Sequence, residues 1–126
     1  MYIHPDNSQT RVIFPSRAEQ IFYSRCQESL SCDWSVFFSV CLSTLTKEDG
    51  LKDNEIDFVL YHPKWGIIVI EVKGGRIGYN ATKDKFTSTN RNNVEFEIKD
   101  PFKQVLIWKT RFVKYLKTFS IRCPVT

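Results

Sequence analysis

The chain has 126 residues, 42% of them hydrophobic and 25% charged, with 18 Lys/Arg against 14 Asp/Glu. That is the length of one domain, and the balance excludes a disordered, collagen-like or membrane-embedded chain. No apolar run approaches the ~20 residues of a membrane helix. The N-terminus has neither a basic start nor an apolar signal core, so a non-exported, cytoplasmic protein is expected.

The first helix is predicted from Ser16-Arg17-Ala18-Glu19, a capping-box pattern after Pro15, to about Leu30. Ala18, Ile21, Phe22, Cys26 and Leu30 form its expected apolar stripe. Trp34, Val36, Phe38, Val40 and Leu42 then alternate with serines, the period of a half-buried strand, and residues 46–54 read as a loop. Two strands follow, Glu55–Tyr61 and Ile67–Lys73, joined by His62-Pro63-Lys64-Trp65-Gly66 as a hairpin. Shorter strands are expected near 76–80, 85–89 and 94–98. Asp100-Pro101 opens a second helix as N-cap and first-turn proline, ending near 117–118. Phe102, Val105, Leu106, Phe112, Val113 and Leu116 are its predicted core stripe. Phe86, Trp108 and Tyr115 suit a core better than a stacking surface.

The cysteines Cys26, Cys32, Cys41 and Cys123 show no zinc spacing and suit a reducing compartment, where Cys serves as a small hydrophobe. Charge is unevenly spread. Residues 1–72 carry six Lys/Arg against ten Asp/Glu, and residues 73–126 carry twelve against four, or −4 and +8. A cationic half that begins beside a carboxylate cluster can bind phosphate, although charge asymmetry alone also serves solubility.

The hairpin carries the chemistry. If Tyr61 pairs with Ile67, Asp57 faces Glu71, and period two puts Glu71 and Lys73 on one face. Like charges placed opposite each other destabilise a sheet, and a divalent cation resolves the conflict. Mg²⁺ takes one or two carboxylates plus waters and substrate phosphate, while a nearby Lys orients water or offsets developing charge. The competing reading is a solvated sheet edge, because Glu55 opposes Lys73 in the same register and could form a surface ion pair.

Glu55-Ile56-Asp57-Phe58-Val59-Leu60, followed after the turn by Ile68-Val69-Ile70-Glu71-Val72-Lys73-Gly74, resembles the nuclease-related domain (NERD) family. That family is a branch of the PD-(D/E)XK nuclease superfamily. Ala18-Glu19, the Trp34 strand and Asp100-Pro101-Phe102-Lys103-Gln104 extend the resemblance over residues 16–116. It implies an α/β, restriction-endonuclease-like core in which helices flank a central mixed sheet. It also implies a Mg²⁺- (or Mn²⁺-) dependent nuclease acting on DNA. By resemblance, Asp57 and Glu71 are paired metal ligands, the Val72 carbonyl is a further ligand and Lys73 is the catalytic lysine. Glu19 resembles the first-helix acid of the same site, and it also fits the capping box. Gln104 resembles the helix glutamine that approaches the active centre.

Lys73, Arg76, Lys103, Lys114 and Lys117 are expected to hold the nucleic-acid backbone. Related domains carry one more core strand after the second helix, so the core is expected to be truncated at its last strand. Residues 1–126 would then be one domain in the N-terminal part of a longer protein. A fused helicase-type or other nucleic-acid-processing module would suit a role in DNA processing. The alternatives are a non-catalytic nucleic-acid-binding module that keeps the fold, and a regulatory interaction domain that binds no metal.

Overall fold

The computed structural model describes residues 1–4, 14–42 and 55–126. The loop expected over 46–54 lies outside them. Strand β1 (Tyr2–His4) is followed by helix α1 (Arg17–Ser29), β2 (Ser35–Cys41), β3 (Glu55–His62) and β4 (Gly66–Ile70). Then come β5 (Arg76–Asn80), β6 (Lys85–Thr89), β7 (Glu95–Ile98) and helix α2 (Pro101–Thr118). The main sheet has the order β1-β2-β3-β4, with β1 parallel to β2 and the other pairs antiparallel. A second, antiparallel sheet, β5-β6-β7, is inserted between β4 and α2.

Both helix starts follow their sequence signals. Ser16 Oγ accepts the Glu19 N–H at 3.2 Å. Asp100 accepts the N–H groups of Phe102 and Lys103 ahead of α2, with Pro101 in the first turn.

The helices cover opposite faces of the main sheet. Tyr23 and Cys26 of α1 pack on Val36, Phe38, Phe58 and Leu60, with Phe22 and Leu30 at the margin. Trp108, Phe112 and Leu116 of α2 pack on Val59, Ile67 and Val69. Both predicted stripes therefore need correction. In α1 the buried line is Glu19, Tyr23 and Cys26, and Ile21 is exposed. In α2 it is Trp108, Phe112 and Leu116, while Phe102 and Leu106 face solvent. Apolar residues spread over more than one helical face made the stripe ambiguous, and the burial of Trp108 decides the rotation.

The hairpin adopts the expected register, Tyr61 opposite Ile67, and the ladder runs from His62–Gly66 to Phe58–Ile70. At its turn His62 stacks on Trp65, with ring centroids 4.2 Å apart, and Trp34 closes the group 5.0 Å from His62. Gly66 has φ +90°, and a Cβ there would lie 2.5 Å from the Pro124 carbonyl oxygen, so both the turn and the close approach require glycine.

The same approach brings residues 124–126 against β4. Residues 124–126 run along β4: Ile67 N–H donates to Pro124 O, Thr126 N–H to Ile67 O, and Val69 N–H to Thr126 O, each at 2.8 Å. The bridge between Ile67 and Val125 is parallel. A short parallel segment therefore follows α2 and pairs with β4.

Candidate active site

The two central strands change faces at one step. Phe38 and Phe58, which pair across β2 and β3, lie under α1. Val40 and Ile56, the pair two residues on, belong to the α2 side. Strict alternation would keep both pairs on one face. Between them stand Ser39, with φ +52°, and Asp57. Asp57 therefore occupies the roll-over of the sheet.

Next to it, β4 ends earlier than predicted. The strand expected to reach Lys73 stops at Ile70. Beyond that point the Val72 N–H donates to Asp57 Oδ2 at 2.7 Å instead of to a strand carbonyl. The carboxylate thus takes over a ladder position and pins Glu71-Val72-Lys73 beside β3. Glu71 is nearly buried, and its Oε1 accepts from Lys73 Nζ at 2.8 Å. This pairing replaces the surface ion pair considered between Glu55 and Lys73. The other Glu71 oxygen, Oε2, is buried without a hydrogen-bond partner.

Glu19, at the start of α1, is buried, and its Oε2 accepts the Ser16 hydroxyl at 2.6 Å. It retains its capping position while adding negative potential at Asp57. Burial, followed by the charges of Glu71 and Glu19, pushes the Asp57 carboxyl up to about 6. The Val72 N–H and Lys73 pull in the opposite direction. Three acids and one amine therefore act on one another here, with a single positive charge among them.

Among the described residues, no three His, Cys, Asp or Glu side chains form a metal-holding group. Asp57 and Glu71 alone meet the protein share of a Mg²⁺ shell, which is commonly one or two carboxylates. The unpartnered Glu71 Oε2 and the excess negative charge fit a hard cation. Glu19, already bonded to Ser16, is a neighbouring charge more than a direct ligand.

Comparison with known families matches the nuclease-related domain over residues 15–126. The chain belongs to the nuclease-related domain family. No curated protein and no solved structure matches it.

In this nuclease-related domain the other sequence-selected residues are distributed unevenly. The last turns of α2 lie at the start of β4, where Phe112 and Leu116 line one hollow with Gly66 and Ile67. Gln104 is in the first turns of α2, with its Oε1 buried and without a hydrogen-bond partner. Lys103 is exposed at the same end, whereas Lys114 and Lys117 are exposed near the other end, more than two helical turns away. Arg76 opens β5 and donates to Asn93 Oδ1 at 2.6 Å.

One contact escaped the sequence. Ser88 of β6 is buried, and its hydroxyl donates to the Gly74 carbonyl at 3.0 Å, next to Lys73. At Gly75 (φ +83°) a Cβ would lie 2.5 Å from that hydroxyl oxygen. Only the paired Gly74-Gly75 hinted that another backbone passes close by. No helix among the described residues is long and apolar enough to cross a membrane.

Proposed function

We propose that this nuclease-related domain hydrolyses DNA phosphodiester bonds with Mg²⁺ or Mn²⁺, on a core of the PD-(D/E)XK type. The observation that carries this reading is the joined pair Asp57–Val72 N–H and Glu71–Lys73, beside a buried Glu71 oxygen that no hydrogen bond satisfies. Asp57 and Glu71 would hold the ion, with the Val72 carbonyl as a third donor. Glu19 adds negative field from α1. When bound, the metal would polarise the phosphodiester and acidify a coordinated water.

The remaining work falls to the chain. Lys73 Nζ, anchored on Glu71, can orient the attacking water and offset charge that develops on the phosphate. Asp57 holds the main chain of residue 72, which fixes the spacing of the two acids. Gln104 would approach the scissile group from α2. Arg76 and Lys103, and more remotely Lys114 and Lys117, would hold the backbone without reading bases. A cytoplasmic role in DNA processing, with a fused helicase-type or related module, accords with this chemistry.

The test is cleavage of DNA in Mg²⁺ and in EDTA by the wild type and Glu71→Gln. Metal-dependent cutting that Glu71→Gln lowers by about 10²-fold or more is expected. Equal cutting by both proteins would overturn the reading.

A further inference from the structure

The small sheet has one polar and one apolar face. Cross-strand register aligns Tyr79 with Phe86 and Phe86 with Ile98, and likewise Ile77 with Ser88 and Ser88 with Phe96. These six side chains share a face. Tyr79 and Phe86 have ring centroids 5.0 Å apart, and Phe86 and Phe102 of α2 are 5.8 Å apart. Three rings therefore form a row that crosses from β5 over β6 to the start of α2. Its two ends are open: Tyr79 is 53% and Phe102 72% exposed. Phe86, assigned to a core by its pattern, is half-buried between them.

Charge and position indicate what the row meets. Beside Phe86 is a hollow of about 400 Å³ to which Lys85, Lys99 and Lys103 contribute. Its three carboxylates are hydrogen-bonded or ion-paired and keep their charge. Asp100 caps α2, Asp84 takes the Tyr79 hydroxyl, and Glu97 faces Lys85 at 3.5 Å. Three lysines and three carboxylates therefore line the hollow, and Lys99 and Lys103 are exposed there next to open aromatic rings. Exposed rings flanked by cations suit a single nucleic-acid strand, whose bases stack while its phosphates meet lysine. The row is also continuous with the candidate site, since Ser88 on the same face bonds the Gly74 carbonyl beside Lys73.

We infer that the Tyr79–Phe86–Phe102 row, edged by Lys99 and Lys103, binds unpaired bases and feeds a single strand to the Asp57–Glu71–Lys73 site. This rests on the nuclease reading above for its purpose, but not for its test. Binding is measured in EDTA by fluorescence anisotropy, using a labelled oligothymidylate of about ten nucleotides and a duplex of the same length. Tyr79→Ala and Phe102→Ala should each weaken oligothymidylate binding about tenfold while leaving duplex binding unchanged. Tyr79→Phe, which keeps the ring, should bind like the wild type. The double change Lys99→Ala and Lys103→Ala should lower the salt dependence of oligothymidylate binding by about 1.4 in log–log slope.

Unchanged oligothymidylate affinity in both alanine variants would overturn the inference, as would equal losses on single and double strands. So would sedimentation that shows a dimer which Phe102→Ala dissociates, because the face would then belong to a second copy. If ring variants lose single-strand binding but no form of the protein cuts DNA, the nuclease reading fails and this inference stands. If the wild type cuts DNA and the ring variants bind normally, this inference alone fails.

Discussion

Asp57 is asked to do two opposed things: to anchor the Val72 N–H as a carboxylate, and to sit near two other acids. Its pKa of about 6 in the folded state, against 3.8 ordinarily, means that the fold holds this proton more tightly than the unfolded chain does. The stability contributed is therefore fully present below about pH 4 and is lost as pH rises through about 6. The loss is about 1 kcal/mol once solvent screening of a partly buried group is allowed for. In EDTA, Asp57→Asn should remove this slope, so its melting temperature should change less between pH 4 and pH 7 than that of the wild type. The same variant should cut DNA at least about 10²-fold more slowly in Mg²⁺. Metal-free DNA binding should be unchanged or stronger, because one repulsive charge is gone. A variant that cuts at the wild-type rate would remove Asp57 from the site.

At the scale of elements, the decisive facts are where β4 stops and how α2 is turned. Phe112→Ala should cost about 3–5 kcal/mol in denaturant unfolding, because Phe112 is buried under the sheet. Leu106→Ala, in the same helix but exposed, should stay within about 0.5 kcal/mol. Comparable losses at both positions would contradict the rotation described. Gly75→Ala should destabilise by about 1–3 kcal/mol through its positive φ and the clash with Ser88. It should also slow cleavage, since the Ser88–Gly74 bond steadies the segment that carries Lys73. Unaltered cleavage would confine that bond to a packing role.

Much of this was legible in the residues. Capping by Ser16 and Asp100, the hairpin register and strands β5 and β6 all follow from local signals, because turn and cap chemistry is short-range. β1 was not foreseen, as three residues carry no period and gain strand geometry only from a parallel partner distant in sequence. The face change at Ser39 and Asp57, the partner of Ser88 and the seat of residues 124–126 are likewise tertiary facts. Alternation brought Asp57 and Glu71 to adjoining positions. It did not reveal that a carboxylate–amide bond would replace the last rungs of the ladder.

For the whole molecule, a bound divalent ion should relieve the electrostatic load that the acids place on the fold. At pH 7, Mg²⁺ at about 100 times its dissociation constant should add about 2.7 kcal/mol, seen as a rise in melting temperature of the wild type and not of Asp57→Asn. An equal rise in both would place the ion elsewhere. The tryptophans provide the means to follow such changes by light. Trp65 is open to solvent and stacked on His62 at the hairpin turn, whereas Trp108 is buried between α2 and the sheet. Emission from the first should be red-shifted and reachable by acrylamide, and emission from the second should be blue-shifted and shielded. The hairpin turn and the α2 side of the sheet thus carry separate optical labels, and loosening of α2 would unmask the shielded emitter while the turn still glowed as before.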